Sequence, residues 1–163
     1  MSLIYTHPKR KTKVVFVQLG SPSEPTTKAL RKYLRKFLGD PRVVDINPWL
    51  WKIILNFFVL PFRPKKSAKL YARIWDGTSF PLITNTRDFT NNVREELKKI
   101  DPNGYVEVNH AFLLSPPFVN EVYDSWEDDL KKGIGATKLL VIPMFPQYSE
   151  STIASGIDAL AKE

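Results

Sequence analysis

The chain has 163 residues, no Cys, 13 Pro and a formal net charge of +7, with 43% apolar and 25% charged residues. That is enough chain to bury one core, and too apolar for a disordered acidic tail or a collagen-like repeat. Without Cys, these residues hold no thiolate nucleophile, disulfide, Cys-ligated zinc or Cys-held iron–sulfur cluster.

No basic region followed by an apolar run opens the sequence, and a reducing, cytoplasmic location is expected. Charge is divided unevenly. Residues 1–75 carry 16 Lys/Arg against 3 Asp/Glu, whereas residues 76–163 carry 8 against 14. The basic first half suits an anionic partner: nucleic acid, a lipid surface, or a ligand with carboxylates or phosphates. A solvated, lysine-rich helix face is the plainer explanation.

Lys13 to Leu19 is a short β-branched run that predicts a parallel strand buried on both faces, ending at Gly20-Ser21-Pro22. Helical spacing follows from Pro25 to Leu38, with Leu30, Tyr33, Leu34, Phe37 and Leu38 on one stripe and Gly39 as the stop. Arg42 to Ile46 reads as a second strand. The greasy stretch from Trp49 to Leu60 lies between Pro48 and Pro61 and reads as an aromatic-rich helix, too short to span a bilayer. Lys65 to Trp75 is helical again, and residues 76–81 are turn material.

A long amphipathic helix is expected from Leu82 to Ile100, with Phe89, Val93, Leu97 and Ile100 as its apolar stripe. Tyr105 to His110 alternates as a third strand. Pro116-Pro117 opens another helix, carrying Val119, Val122, Tyr123, Trp126 and Leu130, that stops at Gly133. Lys138 to Met144 is a fourth strand, and the chain reaches Glu163 inside a new helix. Alternating strands and helices predict a doubly wound α/β domain with a mostly parallel, four-stranded sheet.

Ligands of open α/β sheets bind beyond the carboxyl ends of the strands. The turn Gln18 to Pro22 is neither GxGxxG nor GxxxxGK[ST], so a nucleotide-dependent enzyme is disfavoured, though the Gly lets a flat ligand approach the backbone. His110 falls near a strand end without a second ligand, which favours a structural role, and His7 lies at the terminus. Phe145 to Thr152 gathers aromatic, amide and hydroxyl groups that suit a carboxylate or phosphate, or merely cap a helix. Nucleic-acid binding has no motif here, and none is expected. The aromatic helix is either core or a partly exposed lip facing a membrane or a flat ligand.

Several stretches together resemble the N-terminal half of ferrochelatases. They are Gln18-Leu19-Gly20-Ser21-Pro22, Phe37-Leu38-Gly39-Asp40-Pro41-Arg42-Val43-Val44, Leu60-Pro61-Phe62-Arg63-Pro64-Lys65-Lys66-Ser67-Ala68, Tyr71-Ala72-Arg73-Ile74-Trp75, and residues 141–152, Val-Ile-Pro-Met-Phe-Pro-Gln-Tyr-Ser-Glu-Ser-Thr. The resemblance implies two similar α/β domains around a porphyrin cleft, with residues 1–163 as the first domain and the second absent from this chain. It implies insertion of ferrous iron into a porphyrin in haem synthesis, iron being a substrate rather than a cofactor. The family's metal-handling His and Glu belong to the other half, so no catalytic or metal residue is expected here.

By the same resemblance, Leu19 approaches the macrocycle face within the turn Gly20, Ser21 and Pro22. Arg63 lies near the acid groups, and Ser79 and Pro81 close one side. Phe145, Tyr148, Ser149, Ser151 and Thr152 form floor and rim. Two departures stand out. Many relatives carry an Arg-Tyr or Ser-Tyr pair and Gly where this chain has Ala111, Phe112 and Leu113, which leaves Phe112 as an altered wall position. Some relatives hold an iron–sulfur cluster with Cys where this chain has Glu150, so no cluster is expected. The aromatic density from Trp49 to Leu60, followed by Arg63, Lys65 and Lys66, offers peripheral membrane contact, and an isolated half of such an enzyme is expected to self-associate. A diverged tetrapyrrole-binding or membrane-surface module without catalysis is the alternative reading.

Overall fold

A computed structural model describes residues 11–154 and 156–158. Its sheet has three parallel strands in the order β2-β1-β3: β1 (Thr12–Gln18), β2 (Val106–Phe112) and β3 (Lys138–Pro143). As the β-branched run predicts, β1 is central and buried on both faces from Lys13 to Val17. The strands are accompanied by helices α1 (Thr27–Leu38), α2 (Pro48–Ile54), α3 (Arg63–Tyr71), α4 (Pro81–Ile100) and α5 (Val119–Lys131), and residues 156–158 are helical again after β3.

The second strand expected at residues 42–46 is absent, so the sheet has three strands rather than the expected four. Asp40 turns the chain there instead: its carboxylate accepts from Arg42 N–H at 2.8 Å and its carbonyl from Val43 N–H at 3.0 Å. Those amides are spent within the turn and cannot join a sheet. Val43 and Val44 pack on a helical cluster built from Tyr33, Leu34, Leu38, Leu55 and Leu60. This cluster joins α1 to α2 and to the π-helical turn Leu55–Val59 that prolongs it.

Helices cover both faces of the sheet. On one, Val14, Phe16 and Val108 meet Val93 and Leu97 of α4. On the other, Val15, Val17 and Ala111 meet Val119 and Val122 of α5. The α4 face differs from the expected stripe, since Phe89 and Ile100 are exposed while Thr86 and Thr90 are buried. Each threonine hydroxyl donates to the carbonyl four residues earlier at 2.7 Å, so burial strands no polar group. On that face Leu140 of β3, paired with Val14, stays 49% exposed.

Candidate functional site

The parallel strands end together, and their exits are stitched by backbone hydrogen bonds. Leu113 N–H donates to Gln18 O at 3.1 Å, Leu114 N–H to Leu19 O at 3.0 Å, and Met144 N–H to Val17 O at 2.8 Å. The Gln18 side chain donates to Met144 O at 2.9 Å and accepts from Leu19 N–H at 2.9 Å. Gly20 then takes a φ of +92°, a conformation that only glycine adopts freely. The turn lets α1 fold back over the strand exits, and Tyr33 Oη donates to Gly20 O at 3.3 Å.

Two adjoining cavities open there, with Lys36 and Leu114 lining both. The first, about 310 Å³, has Leu19, Phe37, Val43, Leu113 and Ser151 in its wall. The second, about 650 Å³, has Ser21, Pro22, Tyr33, Trp75, Ser79, Phe80 and Phe118, with Lys32 and Arg35 at its side. Both volumes fall in the range of small-molecule sites, and no Asp or Glu lines the second. An apolar, aromatic cavity with cations suits a flat anionic ligand.

Leu19 and Ser151 meet in the first cavity, and Ser21, Pro22 and Ser79 in the second. Gly20 is buried between β1 and Ser115. Phe112 is fully buried behind it, so it supports the cleft wall without surfacing in it. Phe145 and Thr152 line a separate apolar cavity of about 180 Å³ with Val17 and Ile153. Ser149 and Ser151 hydroxyls share a 2.9 Å hydrogen bond, and Ser149 O caps the π-helical turn Glu150–Ala154. Tyr148 is exposed. Arg63 and Pro81, exposed at the starts of α3 and α4, line neither of the two adjoining cavities.

Strand-end reasoning passes over Lys36, Phe37, Trp75 and Phe118, which helices and loops deliver. Among them only Phe37 and Trp75 fall in the stretches that carry the resemblance. Ser79 is held by Asp76, whose carboxylate accepts from Ser79 N–H at 2.6 Å and Thr78 N–H at 2.7 Å. Those backbone donors keep the Asp76 carboxyl below the ordinary value. Arg42 and Asp158 form a two-pronged ion pair at the mouth of the first cavity, joining the Asp40 turn to the helix after β3.

His110 belongs to the packed sheet face. Burial pushes its imidazole below the ordinary value, and the Arg94 and Arg87 charges of α4 push the same way. Its Nδ1 is buried without a hydrogen-bond partner, and its ring centroid lies 5.5 Å from that of Phe112. His7 lies outside the described residues, as do residues 159–163 of the expected last helix. Among the described residues no three His, Asp or Glu side chains converge as a metal site.

A model of the Ferrochelatase family matches residues 11–163. The chain belongs to the ferrochelatase family. A ferrochelatase of Idiomarina loihiensis is 42% identical over 153 residues, 94% of this chain and 40% of that protein. One from Marinobacter nauticus is 40% identical, covering 92% and 39%, and one from Teredinibacter turnerae is 42% identical, covering 94% and 40%. The chain thus spans less than half the length of these ferrochelatases.

Proposed function

We propose that this chain forms the porphyrin-binding wall of a ferrochelatase, the enzyme that exchanges two pyrrole N–H protons for ferrous iron. The carrying observation is the pair of joined cavities at the strand exits, apolar and aromatic inside, with Lys32, Arg35 and Lys36 beside the larger and Asp40 and Asp158 beside the smaller. Leu19 offers the macrocycle a face without a ligating atom. Ser79, Ser151 and the α1 cations offer donors for the acid groups.

Insertion requires the ring to leave planarity so that its nitrogens expose lone pairs. Contacts over a broad flat ligand can offset that strain. Residues 1–163 supply binding and shape in this reading. The proton acceptor and the residues that handle iron belong to the region by which the relatives exceed this chain. Iron is a substrate, and with Glu150 replacing a thiolate ligand no iron–sulfur cluster is bound.

The exposed aromatic helix provides peripheral membrane contact for a cytoplasmic protein with an apolar substrate and product. Trp49 is 78% and Phe57 70% exposed, with Phe58 and Phe62 beside them in sequence and Lys52, Lys65 and Lys66 near at hand. Among the described residues no helix is long and apolar enough to cross a membrane.

An anaerobic insertion assay tests the whole reading. The chain joined to the remainder of its family's length should convert porphyrin and ferrous iron to haem, while residues 1–163 alone bind porphyrin without conversion. Haem formation by neither, with no porphyrin bound, contradicts it.

A further inference from the structure

We infer that Lys36 is a specificity-determining residue that pairs with a carboxylate of the bound ligand where the two cavities meet. The inference rests on the porphyrin reading above and names a residue that neither the strand-end motifs nor the family resemblance singles out.

Lys36 lies in the last turn of α1 and lines both cavities. Its Nζ is 3.7 Å from the Phe118 ring centroid, so an aromatic face holds the ammonium over the junction. Among the described residues no carboxylate lies within ion-pair distance of it. Glu121, whose field acts on it, caps α5 by accepting from Phe118 N–H at 3.0 Å. Lys32 and Arg35 repeat the positive sign along the larger cavity, whose lining has no acid.

The ammonium is partly desolvated, and burial followed by the Lys32 charge lowers its pKa against the opposing pull of Glu121. Lys36 stays exposed, and the Asp40 and Asp158 carboxylates lie on the smaller cavity's side of it, so an anion it attracts is drawn toward the larger, acid-free side, where Phe118 holds the ammonium. Helix α1 contributes the wrong polarity for that anion by itself, because its carbonyl end points here. The side chain must therefore supply the attraction.

A carboxylate-specific readout separates this role from packing. Mesoporphyrin as the free diacid and as its dimethyl ester share one ring, and each is titrated by Soret absorbance into wild type, Lys36→Met and Lys36→Arg. Wild type should bind the diacid about ten-fold more tightly than the ester, as one charge-assisted pair allows. Lys36→Met should lower the ratio several-fold with ester affinity kept, and Lys36→Arg should restore the preference. A ratio unchanged in Lys36→Met overturns the inference while leaving the porphyrin reading in place. Equal weakening of both ligands also overturns it, because that marks a packing role. Binding of neither form by wild type overturns the underlying reading and this inference together.

Discussion

A Cβ built on Gly20 would lie 2.3 Å from Ser115 Oγ, which also accepts Ser21 N–H at 3.3 Å. The first strand exit and the second therefore touch at a point where no side chain fits. This contact sets the depth of the cleft, since Leu19 and Ser21 on either side of Gly20 line the two cavities.

Gly20→Ala should destabilise the fold by about 3 kcal/mol, combining the left-handed backbone with overpacking against Ser115 and Phe112. Calorimetry should show Tm lower by roughly 10 °C for a domain of this size. Adding Ser115→Ala removes one clash but not the φ of +92°, so the double variant should lose less than the two single losses added. Strict additivity would argue against the contact.

His110 makes stability depend on pH. Its folded pKa lies below the ordinary 6.5, so the unfolded chain binds the proton more readily. The contribution is complete above about pH 6.5 and is lost as pH falls from there through the lower folded value. Urea unfolding between pH 7.5 and 5 should show wild type losing stability more steeply than His110→Phe. Parallel curves would place the proton elsewhere.

Asp76 fastens the loop that presents Ser79. Asp76→Ala should raise amide exchange at Thr78 and Ser79 by about ten-fold, with the sheet amides unchanged. Because the carboxyl is depressed, its hold is complete above the ordinary carboxylate value and is lost as pH falls through the lower folded one. Exchange corrected for intrinsic rates should therefore be flat from pH 7 to 5. Equal protection in Asp76→Ala would mean that the turn holds itself.

The aromatic helix is expected to bind membranes without supporting the fold. Replacing Trp49, Phe57 and Phe58 together with Ser should weaken cosedimentation with anionic vesicles by at least about ten-fold, while Tm moves by only a few degrees. Loss of Tm without loss of vesicle binding would assign these rings to the core.

The buried run 13–19 carries unambiguous strand chemistry, and β1 forms as its composition predicts. Residues 42–46 look similar by β-branching alone, but Asp40 captures their amides in a turn that hydropathy does not register. The stripe on α4 is misjudged because Thr86 and Thr90 satisfy their hydroxyls internally and enter the core as if apolar. At the site, the turn around Leu19 and Ser21 is legible from the Gly and the strand end. Lys36, Trp75 and Phe118 are not, because they converge only when α1 and two loops fold over the strand exits.

A porphyrin titration of wild type beside Leu19→Asp tests the central claim most directly. Leu19 is half-buried in the wall of the first cavity, and a carboxylate there would face the ring while leaving the packed sheet below intact. Wild type should give a saturable Soret shift, with affinity weakened at least about ten-fold in Leu19→Asp at unchanged Tm. No saturable shift in wild type, or equal affinity in the variant, would contradict a porphyrin wall at these strand ends.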